Sequence, residues 1–466
     1  MAAALRAAAS AAERYLATID SDLVRRPGAD GAAMSLRATF PEDGDGALVA
    51  IDELMRASDG ALRSSGPRFF HWVVGGTTPA AVAADWLTSA FDQNAAAYDA
   101  TPLGARCEEI AIDWLKDLFG LPRSWGGVLT TGATMPNYTA LAAARRWWAQ
   151  QHGIDIDARG FAGLPAVPVL SSGYIHPSAT KALAMLGIGR DTVRRFARDD
   201  VGRLDPEALE DALRALRGSP AIVVGNAGEV NAGDFDPIDR LADLAERYAS
   251  WLHVDGAFGL FARVTPRTAQ LVAGVERAHS VISDGHKWLN VAHDAGFAFV
   301  RDASLLDAAF AIGAPYLPRP GAHPMFGGRG PEASRRARGI AIWATLRAYG
   351  RAGHRAMVER HLDLAQHLAR AVDAAPELER LADVPLNIVC FRYRPGDLSD
   401  DALDTLNAKL GADVLADGRV YVGTTRYRGH VAFRPAIVNW RTTEADIDLL
   451  VEVVRELGAR LSVAVA

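Results

Sequence analysis

The chain has 466 residues, too many for one compact core of typical size, so two or three domains are expected. Hydrophobic residues make up 49% and charged residues 23% of the chain, which excludes general disorder. The net charge of −6 provides no basic surface for nucleic acid, so no nucleic-acid partner is predicted.

The cysteines and the first residues indicate the cellular environment. Cys107 and Cys390 lie far apart with no metal-ligand spacing, so reduced thiols and no metal site are predicted. The alanine-rich first 19 residues are interrupted by Arg6, Glu13 and Arg14, unlike a signal peptide, and no apolar run is long enough to span a membrane. A soluble cytoplasmic protein is therefore predicted.

In chain order, helices broken by Pro/Gly turns come first, and from Pro67 apolar runs typical of buried strands alternate with helical patterns. The predicted strands are Gly127–Thr131, Pro168–Ser171, Ala221–Gly225, Trp251–Val254, Ser280–Ser283 and Gly296–Val300. The predicted helices are Asn137–Gln151, Ser178–Met185, Pro206–Leu216 and Pro237–Tyr248. This alternation predicts an α/β fold whose mostly parallel sheet carries its functional groups beyond the carboxyl ends of the strands.

The segment Ala314–Pro331 is rich in proline and glycine and is typical of a loop that covers an active site. The elements predicted after it are a helix at Pro331–Tyr349, strands near Asn387–Tyr393, Arg419–Gly423 and His430–Val438, and a helix at Glu444–Leu457. The predicted parts are a helical segment at 1–65, a large domain at 66–330 and a smaller C-terminal α+β domain at 331–466.

Two short motifs carry the clearest functional signal. Asp255 ends an apolar run and precedes small residues that would let a flat ring approach the backbone. Lys287 follows 32 residues later (287 − 255), beside Trp288 and Leu289, which are unusual neighbours for a solvated lysine. A carboxylate and a lysine over one pocket suit pyridoxal phosphate, because the lysine forms a Schiff base and the carboxylate keeps the pyridine nitrogen protonated. A strand-end cap and a surface lysine are the structural alternatives.

Two further segments fit such a cofactor. Leu129–Asn137 joins a strand to a helix through small and hydroxyl residues, where free N–H groups and the helix dipole favour a phosphate. An ordinary helix cap by Thr131 or Thr134 is the alternative. His176 lies at another strand-to-helix transition and is either a structural residue or an imidazole stacked on the cofactor ring.

Together these motifs resemble the pyridoxal-phosphate-dependent group II decarboxylases, the family of the aromatic L-amino-acid and glutamate decarboxylases. The resemblance runs from about Pro67 to about Arg455. Its motifs are Pro67–Phe70, Gly75–Ala80, Thr131–Asn137, His176, His253–Asp255, Asp284–Trp288 and Asn439–Thr443. It implies a fold-type I enzyme that decarboxylates an L-amino acid to the amine and carbon dioxide.

The resemblance also implies residue roles. Lys287 would form the Schiff base, Asp255 would pair with the pyridine nitrogen, and His176 would stack on the ring and bind the substrate carboxylate. The residues implied to bind the cofactor are Gly132, Ala133, Thr134, His176, Asp255, Ala257, Asp284, His286 and Lys287.

The resemblance extends to the substrate and to assembly. Trp72 aligns with an aromatic residue that reaches the substrate pocket of the neighbouring subunit, which implies a homodimer with shared active sites. Phe70, Trp72 and Tyr98 favour an aromatic or bulky substrate side chain, although aromatic residues are equally often core residues.

Two positions depart from the family pattern. Counting back from Arg335 and Arg336 places Phe326 where decarboxylases usually carry a loop tyrosine, and its loss favours an alternative that ends in oxidative deamination to an aldehyde. Glu229 stands where a neutral polar residue is more usual. A transaminase or carbon–sulfur lyase, and a catalytically silent scaffold, stay open as alternatives, although the intact motifs argue against the scaffold.

Overall fold

The structure is a computed structural model that describes residues 1–315 and 321–465. It divides into two compact units, one formed by Thr77–Leu362 and the other by Met1–Gly76 together with Asp363–Ala466. The structure thus groups the N-terminal segment with the C-terminal part, and the three-part division at residues 65 and 330 stays a prediction.

The large unit is built on a seven-stranded sheet in the spatial order β1-β7-β6-β5-β4-β2-β3. Its strands are β1 (Gly126–Thr130), β2 (Val169–Ser171), β3 (Val193–Arg195), β4 (Ile222–Asn226), β5 (Trp251–Asp255), β6 (Ser280–Asp284) and β7 (Gly296–Val300). The strands from β3 through β6 pair in parallel, while β7 pairs antiparallel with both β6 and β1. The mostly parallel α/β sheet is confirmed, and the six predicted strands differ from the observed ones by no more than one residue at either end.

Helices surround this sheet. They are α4 (Pro79–Phe91), α5 (Pro102–Phe119), α6 (Thr134–Gln150), α7 (Ile156–Arg159), α8 (Pro177–Met185), α9 (Pro206–Ala215), α10 (Ile238–Arg247) and α11 (Ala303–Ala309). Several begin with proline after a residue whose side chain accepts a backbone N–H, as Thr78 does before α4.

The long helix α12 spans Gly339–Ala374 and contributes residues to both units. It begins later than the predicted Pro331, because the backbone at Arg335 and Arg336 pairs instead with Asn94 and Ala95. Gly350 interrupts its helical geometry with φ 59° and ψ −177°.

The small unit combines helices with a four-stranded antiparallel sheet in the order β10-β11-β9-β8. Its helices are α1 (Ala2–Thr18), α2 (Ala29–Met34), α3 (Ala47–Ala57), α13 (Asp400–Asp417) and α14 (Glu444–Val465). Its strands are β8 (Leu378–Arg380), β9 (Phe391–Tyr393), β10 (Thr424–Tyr427) and β11 (His430–Phe433). The predicted strand at Arg419–Gly423 is wrong, since these residues precede β10 and Tyr421 makes only an isolated bridge with Phe69. No helix in the described part of the chain has the length and apolar character needed to cross a bilayer.

Candidate active site

The predicted lysine and carboxylate motifs leave the sheet at the same edge. Asp255 is the last residue of β5, and Asp284 is the last residue of the neighbouring parallel strand β6. Lys287 follows in the single helical turn Gly285–Leu289. The carboxyl ends of adjacent parallel strands form the usual ligand crevice of such sheets, so the topology brings these groups together.

Lys287 is held by an acidic and an aromatic neighbour. Its Nζ lies 3.1 Å from Asp284 Oδ2 and 5.9 Å from the centre of the Phe258 ring. The Lys287 side chain is only 18% exposed, so the surface-lysine alternative is excluded. A mostly buried amine at a crevice can form a Schiff base with an aldehyde that enters there.

Asp284 is fully buried beside this amine. Burial raises the pKa of its carboxyl group to about 6, although the charge of Lys287 opposes the shift. Neither carboxylate oxygen has a hydrogen-bond partner within the described residues, and Lys287 Nζ contacts Oδ2 as an ion-pair partner at 3.1 Å. A buried polar group left in this state marks a site that a ligand completes.

The turn before α6 has the features of a phosphate seat. No side chain caps α6, so the alternative of an ordinary threonine cap is not realised. A Cβ atom at Gly132 would lie 2.9 Å from Cε1 of His286, so the close approach requires glycine. His286 is buried, its Nδ1 has no hydrogen-bond partner in the described chain, and burial lowers its pKa to about 4. The open helix end and the unpartnered imidazole atom fit the phosphate group of the cofactor.

Asp255 is oriented by two donors. Asn137 Nδ2 donates to Asp255 Oδ2 over 2.9 Å, and the backbone N–H of Ala257 donates to Asp255 Oδ1 over 3.2 Å. The carboxylate is nearly buried and has no arginine or lysine among its hydrogen-bond partners, so its charge remains available to a protonated ring nitrogen.

His176 caps a helix with one of its ring nitrogens. Its Nδ1 accepts the backbone N–H of Ser178 over 3.2 Å, which caps α8, and it lies 2.7 Å from Ser178 Oγ. Because Nδ1 accepts a hydrogen bond from a backbone N–H, the proton of the neutral ring is on Nε2.

Three other aromatic residues were singled out in the sequence. Trp72 belongs to the small unit, is 65% exposed and has a positive φ of 54°. Phe70 is a core residue of that unit, so it packs the interior rather than lining a pocket. Tyr98 is partly buried, and its ring stacks on that of His323 at 3.8 Å.

The departures from the family pattern have structural explanations. Phe326 is only 1% exposed in a short helical turn, with its ring 5.7 Å from the Arg335 guanidinium carbon. It is therefore an interior residue and is not displayed on a loop. The covering loop predicted at Ala314–Pro331 lies partly outside the described residues, since 316–320 are not among them. Glu229 accepts hydrogen bonds from Asn231 Nδ2 (2.6 Å) and Ala232 N (2.8 Å), so it closes its own turn.

Sequence reasoning assigned no role to three residues around the site. Asn137 contacts Asp255, Ser178 contacts His176, and His253 contacts Asn137. Asn137 lies one helical turn after Ala133, and this spacing places it at the same helix end as the phosphate seat. That spacing was the available signal.

Known proteins resemble this chain over most of its length. A sequence profile described as the pyridoxal-dependent decarboxylase conserved domain matches residues 35–394. The chain therefore belongs to the pyridoxal-dependent decarboxylase family.

Two characterised relatives match most of the chain. An aromatic-L-amino-acid decarboxylase of Bacillus atrophaeus is 29% identical over 456 residues, covering 96% of this chain and 91% of that protein. The acidic amino acid decarboxylase GADL1 of Mus musculus is 27% identical over 418 residues, covering 85% and 74%.

Among solved structures, Oryza sativa TDC with PLP and tryptamine superposes with a TM-score of 0.90 at 25% identity, covering 98% of this chain and 97% of that one. Mouse CSAD gives the same TM-score and identity and covers 98% of both chains. A Rhodiola rosea 4-hydroxyphenylacetaldehyde synthase at 22% identity shares the fold.

The chain is accordingly a pyridoxal-phosphate-dependent carboxy-lyase that decarboxylates an amino acid. The fold-type I architecture and the cofactor predicted from the sequence are confirmed. The aldehyde-forming alternative is not favoured, because the matched family and both relatives are decarboxylases.

Proposed function

We propose that the enzyme removes the α-carboxylate of an aromatic L-amino acid as carbon dioxide and releases the aromatic amine. The observation that carries the proposal is the meeting of Lys287, Asp284 and Asp255 at the carboxyl ends of β5 and β6. The aromatic substrate class is supported by the Bacillus atrophaeus relative and by the tryptamine named in the rice structure.

The residues divide the work as follows. Pyridoxal phosphate, when bound, supplies an electron sink for the pair left as the bond to the carboxylate breaks. Lys287 binds the cofactor through its amine, and Asp255 holds a proton on the ring nitrogen. His176 lies beside the ring and donates from Nε2 to the substrate carboxylate, which orients the breaking bond.

The phosphate is held at the start of α6, where the unpartnered groups lie. The residues that bind the cofactor in this proposal are Gly132, Ala133, Thr134, His176, Asp255, Ala257, Asp284, His286 and Lys287. Asp284 keeps Lys287 in place by charge.

The proposal includes a homodimer in the cytoplasm, in which Trp72 of one subunit reaches the substrate of its partner. The exposed indole at a left-handed backbone position supports it, because a bulky residue in that conformation is uncommon and often functional. Exposed apolar side chains in the first 60 residues offer further surface for a partner subunit: Leu5, Leu36, Phe40, Leu48, Val49 and Leu54.

The test is a panel of L-amino acids incubated with enzyme loaded with pyridoxal phosphate. Tryptophan, tyrosine and phenylalanine should yield carbon dioxide and amine, while glutamate, aspartate and cysteine sulfinate should not. Lys287→Ala is the blank for uncatalysed release. Turnover confined to the acidic substrates would overturn the aromatic assignment, and peroxide with aldehyde would overturn simple decarboxylation.

A further inference from the structure

A hydrogen-bonded network of buried side chains connects the interior of the sheet with Asp255. Trp251 Nε1 donates to Ser280 Oγ over 2.9 Å, and Ser280 Oγ lies 2.9 Å from His253 Nδ1. His253 Nε2 lies 2.8 Å from Asn137 Oδ1, and Asn137 Nδ2 donates to Asp255 Oδ2. All five side chains are buried, so water does not compete for these groups.

The donors and acceptors in this network can be assigned in only one direction. The Asp255 carboxylate can only accept, so the amide nitrogen of Asn137 faces it and Asn137 Oδ1 faces His253 Nε2. Because an amide oxygen can only accept, His253 Nε2 carries a proton and donates it to Asn137 Oδ1. Burial lowers the pKa of His253 to about 4, so the ring is neutral and its Nδ1 has no proton. Nδ1 therefore accepts the proton of Ser280 Oγ, which in turn accepts the indole N–H of Trp251.

The same amide has a second branch. Asn137 Nδ2 also donates to Ser178 Oγ over 3.3 Å, and Ser178 Oγ lies 2.7 Å from the accepting Nδ1 of His176. The two amide hydrogens thus serve the two groups proposed to contact the cofactor ring.

We infer that Trp251, Ser280 and His253 fix the orientation of the Asn137 amide, and that this amide positions Asp255 and, through Ser178, His176. The inference rests on the proposed function, which assigns Asp255 and His176 to the cofactor. A reversed amide would place its carbonyl oxygen against the Asp255 carboxylate, where two acceptors repel each other. The four residues are positioning residues, and their effect should reach the cofactor through Asp255.

The first test measures the dissociation constant of pyridoxal phosphate by titrating the full-length apoprotein. Ser280→Ala should weaken binding about tenfold, which corresponds to the loss of roughly one net hydrogen bond. Trp251→Phe keeps an aromatic ring but removes the indole N–H that Ser280 Oγ accepts, and it should weaken cofactor binding less than Ser280→Ala does. Ser171→Ala is the matched control, because it removes a buried hydroxyl that donates to Val224 O over 2.7 Å and is not part of the network.

The second step repeats the Ser280→Ala measurement in an Asp255→Ala background. If the network acts through Asp255, Ser280→Ala should weaken cofactor binding in this background by less than about threefold, since the carboxylate that the network positions is gone. A larger loss in that background, or no loss in the wild-type background, overturns the inference. If Asp255→Ala alone leaves cofactor binding unchanged, it is the proposed function of the site that fails.

A measurement without cofactor tests independently which atoms of the network donate and which accept. Nitrogen-15 spectra of the apoprotein labelled at histidine distinguish a protonated Nε2 from a protonated Nδ1. The protein has 12 histidines, so a His253→Gln variant identifies the signal. In the wild-type protein we expect His253 to carry its proton on Nε2. In Ser280→Ala we expect this tautomer to be no longer the major one. A protonated Nδ1 in the wild-type protein overturns the inference whatever the cofactor does.

Discussion

Replacing Asp284 with asparagine should stabilise the apoprotein at neutral pH. The carboxyl group is fully buried, lacks a hydrogen-bond partner among the described residues, and has its pKa raised from 3.8 to about 6 by burial. A group with a raised pKa in the folded state contributes stability that is fully present below its unfolded pKa and is lost as pH rises through its folded pKa. By linkage, the ionisation of the buried Asp284 carboxyl group lowers the free energy of unfolding by about 3 kcal/mol at pH 8 and by about half of that at pH 5.

The assay is the thermal unfolding midpoint of the apoprotein as a function of pH. For a unit of this size, about 3 kcal/mol corresponds to a rise of roughly 5 °C at pH 8, with a smaller rise at pH 5. Asp113→Asn is the matched control, because Asp113 also lies 3.0 Å from a lysine three residues on, Lys116, but is 70% exposed. An Asp284→Asn protein less stable than wild type throughout this range would show that the attraction to Lys287 outweighs the cost of burial, and would refute the reasoning.

Three other changes test the site and its support. Lys287→Ala should abolish turnover and the visible absorbance of bound cofactor without unfolding the protein, and a borohydride-reducible cofactor bond in this variant would contradict the assignment. Arg335→Met should lower stability by about 3–5 kcal/mol in denaturant titrations, because it leaves the buried Glu108 carboxylate unpaired, whereas Arg336→Met at an exposed ion pair should cost less than about 1 kcal/mol. Gly132→Ala should weaken cofactor binding, because the added Cβ would press on the His286 ring beside the phosphate seat; equal cofactor affinity would show that the turn is not that seat.

The fold was predictable where strands are buried on both faces, because such strands are continuous apolar runs. The edge strand β3 escaped prediction, since it has only three residues, and Arg194 and Arg195 in it are exposed. The error at Arg419–Gly423 has a different cause. Val420 and Val422 alternate and are fully buried, as in a strand, yet the sheet hydrogen bonds are made by the following residues of β10.

Contacts between distant parts of the chain were beyond prediction. Arg335 forms its buried ion pair with Glu108, 227 residues away, ahead of the start of α12. The motifs around Asp255 and Lys287 identified the site because they carry its chemistry locally. Asn137 joins Asp255 across 118 residues, and its role follows only from three-dimensional contacts.

The hydrogen-bonding of Asn137 sets a limit on how this enzyme can be redesigned. Its side chain uses one acceptor and both donors in a fully buried position. Among the natural amino acids only glutamine offers the same groups, and its extra methylene would overpack the interior at a cost of about 1–3 kcal/mol. Libraries that aim to change substrate preference should therefore keep this position constant and direct their diversity to surfaces that a substrate side chain can reach.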